Sequence, residues 1–63
     1  MTLVNGAHYE PSPSENLADL ALSLAGRTEG VAIAVDGAVV PRSRWDRTPV
    51  AGAIEIVTAA QGG

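Results

Sequence analysis

The sequence predicts an α+β domain in which a small mixed sheet packs on one helix, and three observations carry that prediction. The chain has 63 residues, enough for one domain with a small core, because a chain of that size buries only ~60% of its unfolded surface. Runs with the alternation of strands flank a single run with the 3.6-residue period of a helix. Two dipeptides suited to tight hairpin turns, Asn5-Gly6 and Asp36-Gly37, separate neighbouring strand-like runs.

Taken in order, Thr2 to Asn5 reads as a first strand, Asn5-Gly6 as its turn, and His8 to Glu10 as the returning strand. Ser12-Pro13-Ser14-Glu15 reads as a helix start, with Ser12 as N-cap, Pro13 at the first helical position and Glu15 placed for a capping box. Leu17, Leu20, Ala21 and Leu24 then recur at i, i+3, i+4 and i+7 and form one apolar stripe. Gly26 suits the left-handed position past a helix, which should end near Ala25. Val31, Ile33 and Val35 alternate with Ala32 and Ala34, and Asp36-Gly37 turns the chain into Ala38 to Val40. Pro41-Arg42-Ser43-Arg44-Trp45 interrupts the alternation as a loop or single helical turn. Ile54-Glu55-Ile56-Val57 resumes it.

Two strands, a helix, two strands and a last strand make a sheet of four to five strands, with the helix stripe covering one face. Short, right-handed connections set the first and last strands side by side and parallel, with the hairpins outside. That arrangement is the β-grasp, or ubiquitin-like, roll. The expected core is Leu17, Leu20, Leu24, Val31, Ile33, Val35, Ile54 and Ile56, while alternation lets either Leu3 or Val4 face inward. With no Phe, one Trp and one Tyr, aliphatic side chains must fill it. Residues 1–58 form the expected domain. Residues 59–63 form a flexible tail projecting from a central strand.

Seven acidic residues against four arginines give a net charge of −3, which argues against a nucleic-acid partner and favours a basic protein surface. Lysine is absent, so no side-chain amine can receive an isopeptide bond. Absence of cysteine excludes a disulfide framework, a thiolate nucleophile and a zinc–cysteine site. His8 has no second His, no Cys and no acid cluster nearby in sequence, and reads as a surface histidine with no metal site. A phosphate-binding glycine loop is also missing. Neither a signal peptide nor a membrane span is apparent, so the expected location is the cytoplasm.

The chain closes on Thr58-Ala59-Ala60-Gln61-Gly62-Gly63. Extended at roughly 3.3–3.6 Å per residue, this segment reaches ~20 Å. It can thread a buried active site while the folded body stays outside. A domain this small has little room for a cleft of its own.

Val40-Pro41-Arg42-Ser43-Arg44-Trp45, followed by Ile54-Glu55-Ile56-Val57-Thr58-Ala59-Ala60-Gln61-Gly62-Gly63, closely resembles the ThiS family of sulfur carriers in thiamine biosynthesis, and Val4-Asn5-Gly6 matches the family's first hairpin. The likeness covers nearly the whole chain and favours Val4 over Leu3 as the inward residue. One departure is Val50-Ala51-Gly52-Ala53, where many relatives carry an acidic-Gly-acidic turn.

The resemblance implies that a ThiF-like adenylating enzyme, using ATP and Mg²⁺, activates Gly63. A persulfide relay then delivers sulfur, and a ThiG-like thiazole synthase consumes the resulting thiocarboxylate, so the resemblance makes the chain a co-substrate of enzymes with no catalytic residue of its own. No cofactor is expected to stay bound to the carrier, which should be a monomer when free. Gly62, Gln61, Ala60 and Ala59 become expected contacts in the partner's channel. Arg42 and Arg44, with Arg47, are candidates for a docking patch or are plain solvated charge, and their spacing leaves both open. Trp45, adjoining them, reads more readily as an anchor over the sheet edge than as a recognition residue. Two other readings stay beside this one: a carrier of the molybdopterin (MoaD-like) type, disfavoured by the short chain and the Trp45 loop, and a ubiquitin-like protein modifier.

Overall fold

In the computed structural model, which describes residues 1–58, two hairpins bracket one helix. Strands β1 (Leu3–Val4) and β2 (Ala7–His8) pair antiparallel, Leu3 opposite His8 and Val4 opposite Ala7. Asn5 and Gly6 between them both take positive φ, 51° and 85°, the condition for a two-residue turn that matches strand twist. β2 is shorter and earlier than the expected His8 to Glu10. Tyr9 N–H still reaches Thr2 O at 2.9 Å, but Pro11 has no N–H to extend the ladder.

Helix α1 (Leu17–Ala25) starts later than Ser12. Asn16, not Ser12, is its N-cap: Asn16 Oδ1 accepts from Asp19 N–H at 2.8 Å, and Asp19 Oδ2 accepts from Asn16 N–H at 3.1 Å. Ser12 to Glu15 forms a separate turn with its own reciprocal bonds, Glu15 N–H to Ser12 O at 3.1 Å and Ser12 N–H to Glu15 Oε1 at 3.0 Å. The sequence thus holds two capping-box patterns in succession, and only the second is complete, since Ser12 offers its main-chain oxygen where Asn16 offers its side chain. A tertiary contact decides between them: Leu17 N–H donates to Thr48 O and Val50 N–H to Glu15 O, around a bridge between Asn16 and Pro49. That pairing holds Asn16 extended, at φ −116° and ψ 177°. The helix closes as expected on Gly26, whose N–H bonds Leu22 O at 3.1 Å.

Strands β3 (Val31–Val35) and β4 (Ala38–Val40) form the second hairpin across Asp36-Gly37. A 3₁₀ helix, Arg42–Arg47, follows, and β5 (Ala53–Thr58) completes the sheet. The strand order is β2-β1-β5-β3-β4, with β1 parallel to β5 and every other pair antiparallel. This is the α+β β-grasp roll, with its last strand at the centre.

Val4, Leu17, Leu20, Ala21, Ile33, Trp45, Val50 and Ile54 form the buried core, with Val31, Val35 and Ile56 packed partly buried against it. Val4 is the inward residue of β1. Leu24 is not in the core, being 52% exposed. The helix buries only Leu17, Leu20 and Ala21, because it leans on the 3₁₀ helix as well as on the sheet. Trp45 supplies the missing volume: it is 2% exposed, and its indole N–H donates to Val40 O at 2.9 Å. A lone aromatic anchors the sheet edge, its polar atom satisfied.

Candidate functional site

Ala59, Ala60, Gln61, Gly62 and Gly63 lie outside the described residues. What is described is the strand that leads to them. β5 runs between β1 and β3, with Ala53 beside Leu3 and Ile54 between Val4 and Val35. Its last residues pair on one side only, Val57 with Ala32 and Thr58 with Val31.

Both hairpin turns send a side chain to this strand. Asp36 N–H donates to Ala53 O at 2.7 Å, and Asp36 Oδ1 accepts from Ala53 N–H at 2.9 Å. Gly52, at φ +85°, lies so close that a Cβ there would stand 2.9 Å from Asp36 Oδ2. The turn Val50-Ala51-Gly52-Ala53 therefore depends on a glycine that approaches a carboxylate, although it lacks the acidic neighbours of the family pattern. On the other flank, Asn5 N–H donates to Ile54 O at 2.8 Å. Asn5 Oδ1 then accepts from Ile56 N–H at 2.8 Å, and Asn5 Nδ2 donates to Ile56 O at 3.3 Å. The Asn5 amide thus acts as the rung that follows the end of β1. Asn-Gly signalled a turn in the sequence; its cross-strand bonds, 51 residues away in the chain, had no local signal.

The face of the sheet opposite α1 is nearly free of charge. Alternation and register bring Leu3, Ala53, Val57, Ala32, Ala34 and Val39 to it, with Glu55 among them. Val39 and Val57 are 74% and 62% exposed. Contiguous exposed apolar surface is a feature of interaction sites, which makes this face a candidate. The small alanines of β3 were its sequence signal.

Arg42 and Arg44 sit on the 3₁₀ helix. Arg42 Nη1 donates to Thr28 O at 3.3 Å, tying that helix to the loop before β3. Because Val40 pairs with Ile33 and Thr58 with Val31, Arg42 lies at the end of the sheet from which β5 departs. Arg44 is exposed, and Arg47 stands 3.9 Å from Asp46 in a solvent-facing pair, an arrangement worth little. Trp45 is withdrawn into the core between them.

Away from β5, an open polar groove of about 400 Å³ is lined by Tyr9, Ser12, Ser14, Glu15, Asp19 and Ser23. Its carboxylates are committed to structure: Glu15 Oε2 accepts from Tyr9 Oη at 2.6 Å, Glu15 Oε1 caps Ser12, and Asp19 caps Asn16. The Glu15 hydrogen bond, with partial burial, raises the Tyr9 pKa above 10.0. His8 is not alone on the surface, since its Nε2 meets Glu10 Oε2 at 2.7 Å. Among the described residues no group of three or more His, Cys, Asp or Glu could hold a metal ion, and no helix is long and apolar enough to cross a membrane.

The ThiS family model matches residues 2–63. No curated protein matches the chain.

Proposed function

The chain belongs to the ThiS family, whose members are small sulfur carriers of the thiamine and MoaD type and not enzymes, and from that premise we propose that it carries the sulfur destined for the thiazole of thiamine on the carboxyl group of Gly63. One observation carries the reading to this residue: the central strand β5 runs to Thr58 and leads straight into Ala-Ala-Gln-Gly-Gly. Held between β1 and β3, the strand gives the terminal segment a fixed starting point on a folded body.

A C-terminal carboxylate has a pKa near 3.3–3.7, so at neutral pH it is ionised and a poor acyl group. A ThiF-like partner overcomes this with ATP and Mg²⁺: a carboxylate oxygen attacks the α-phosphorus and pyrophosphate leaves. A sulfur nucleophile from a persulfide relay displaces AMP from the acyl-adenylate. Reductive cleavage of the resulting acyl disulfide by a thiol leaves the thiocarboxylate, which a ThiG-like synthase consumes. Ala59, Ala60, Gln61 and Gly62 contact the walls of the partner's channel, a passage suited to the small Ala and Gly residues, and the apolar sheet face with Arg42 and Arg44 docks the body outside it. The cytoplasm is the compartment in which this cycle runs.

The test is ATP–pyrophosphate exchange with the adenylating enzyme. Deleting Gly63 or adding one residue after it displaces the carboxylate by roughly 3.5 Å. Reacting atoms must approach within about 3–3.5 Å, so exchange should vanish while the body stays folded. Arg42→Ala should raise the carrier concentration needed and leave the maximal rate. Undiminished exchange by the chain lacking Gly63 would refute the assignment.

A further inference from the structure

We propose that Asn5 is a positioning residue for the terminal glycine: by clamping Ile56 it sets where the chain leaves the sheet, and so how Gly63 is presented. The inference rests on the carrier reading above. β1 ends at Val4, and its last main-chain bond to β5 is Asn5 N–H to Ile54 O at 2.8 Å. Without a further bond, everything after Ile54 would be held by β3 alone. The Asn5 side chain supplies that bond twice, accepting from Ile56 N–H at 2.8 Å and donating to Ile56 O at 3.3 Å. A carboxamide is the side chain of this length that carries both an acceptor and a donor, as a peptide group does. It also tolerates the positive φ of 51° that the turn demands.

Gly63 lies seven residues beyond Ile56, and among the described residues the clamp is the last two-sided hold on the strand. Removing it frees backbone that must be ordered again when the segment enters a partner's channel. Ordering a single residue costs an amount equivalent to a roughly five- to thirtyfold change in an equilibrium. The loss should fall on kcat/KM for activation, with kcat at saturating carrier retained. Asp36 provides the internal control. It bonds the same strand with a side chain of the same size, but at Ala53, three residues earlier and at the opposite end of β5.

The experiment compares Asn5→Gly, which keeps the turn conformation and loses both bonds, with Asp36→Gly, using full-length chains. Asn5→Asp is the second variant, keeping the acceptor for Ile56 N–H and losing the donor. Two readouts are taken where all are folded: kcat/KM and kcat for pyrophosphate exchange, and amide exchange at Val57, whose main chain faces β3 by alternation from Ala53. The expected result is a roughly five- to thirtyfold lower kcat/KM and faster Val57 exchange for Asn5→Gly, a smaller loss for Asn5→Asp, and neither for Asp36→Gly. Equal losses in Asn5→Gly and Asp36→Gly would show a purely structural role and overturn the proposal, as would an unchanged Val57 amide. An inactive wild-type chain would instead refute the carrier reading, and the amide measurement would still judge the clamp.

Discussion

At the Asp36 end of β5 the strand is paired on both sides and its inward side chain Ile54 is 1% exposed, whereas at the Asn5 end it is paired with β3 alone and its inward side chain Ile56 is only partly buried. Both ends are held by the side chain of a hairpin-turn residue. The difference lies in what the hold serves. Near Asp36 the strand enters the core, where Val4, Ile33 and Ile54 meet α1; near Asn5 it runs toward the terminal residues proposed above as partner contacts. A small domain can thus separate stability from presentation along six residues of one strand.

The largest expected contrast is in stability. Ile54→Ala should cost about 2–5 kcal/mol, through lost burial and the cavity left behind. Ile56→Ala, the inward-facing substitution at the other end of the strand, where the side chain is only partly buried, should cost clearly less. Urea unfolding of the two variants measures both. Comparable losses would mean that the two ends are not energetically distinct.

A smaller effect sharpens the Asp36 end. Gly52→Ala adds a Cβ at φ +85° and 2.9–3.0 Å from both carboxylate oxygens of Asp36, and should cost about 1–3 kcal/mol. In an Asp36→Gly background the same substitution keeps only the backbone penalty and should cost less. A double-mutant cycle with no coupling would show that the carboxylate moves aside freely, so that Asp36 does not pin the turn.

The smallest effect lies beside β2, away from both clamps. Tyr9 Oη donates to Glu15 at 2.6 Å, and this bond raises its folded pKa above the unfolded value of 10.0. The bond's stabilisation is complete below pH 10 and is lost as pH rises through the folded pKa. Wild-type unfolding free energy should therefore fall more steeply above pH 10 than that of Tyr9→Phe. Parallel curves would mean that the bond contributes nothing measurable.

Much of this architecture was legible in the chain because its signals are local. Asn-Gly and Asp-Gly mark the two turns, alternation marks β3 and β5, and the 3.6-residue stripe marks α1. Parallel pairing of the first and last strands followed from connection rules, and the anchoring role of Trp45 followed from its being the single Trp in a chain with one Tyr and no Phe. What escaped was long-range. Two capping-box patterns, Ser12 with Glu15 and Asn16 with Asp19, could be ranked only by the pairing of residues 15–17 with Thr48 and Val50. Leu24, in the last turn of α1, is 52% exposed although it shares the stripe of Leu17, Leu20 and Ala21. The Asn5 and Asp36 clamps join residues far apart in the chain, where no periodicity reports them. For the site, the Gly-Gly ending was plain in sequence, and the fold adds the strand that leads to it and the apolar face beside it.

The most direct measurement of the central claim is the intact mass of the full-length chain after incubation with the adenylating enzyme, ATP, Mg²⁺ and a persulfide donor, followed by fragmentation to locate the change. A sulfur carrier of this kind gains one sulfur in place of one oxygen, confined to the fragment ending at Gly63 and absent when ATP is withheld. An unchanged mass with active partners, sulfur at any other residue, or an amide-linked conjugate formed in its place would contradict it.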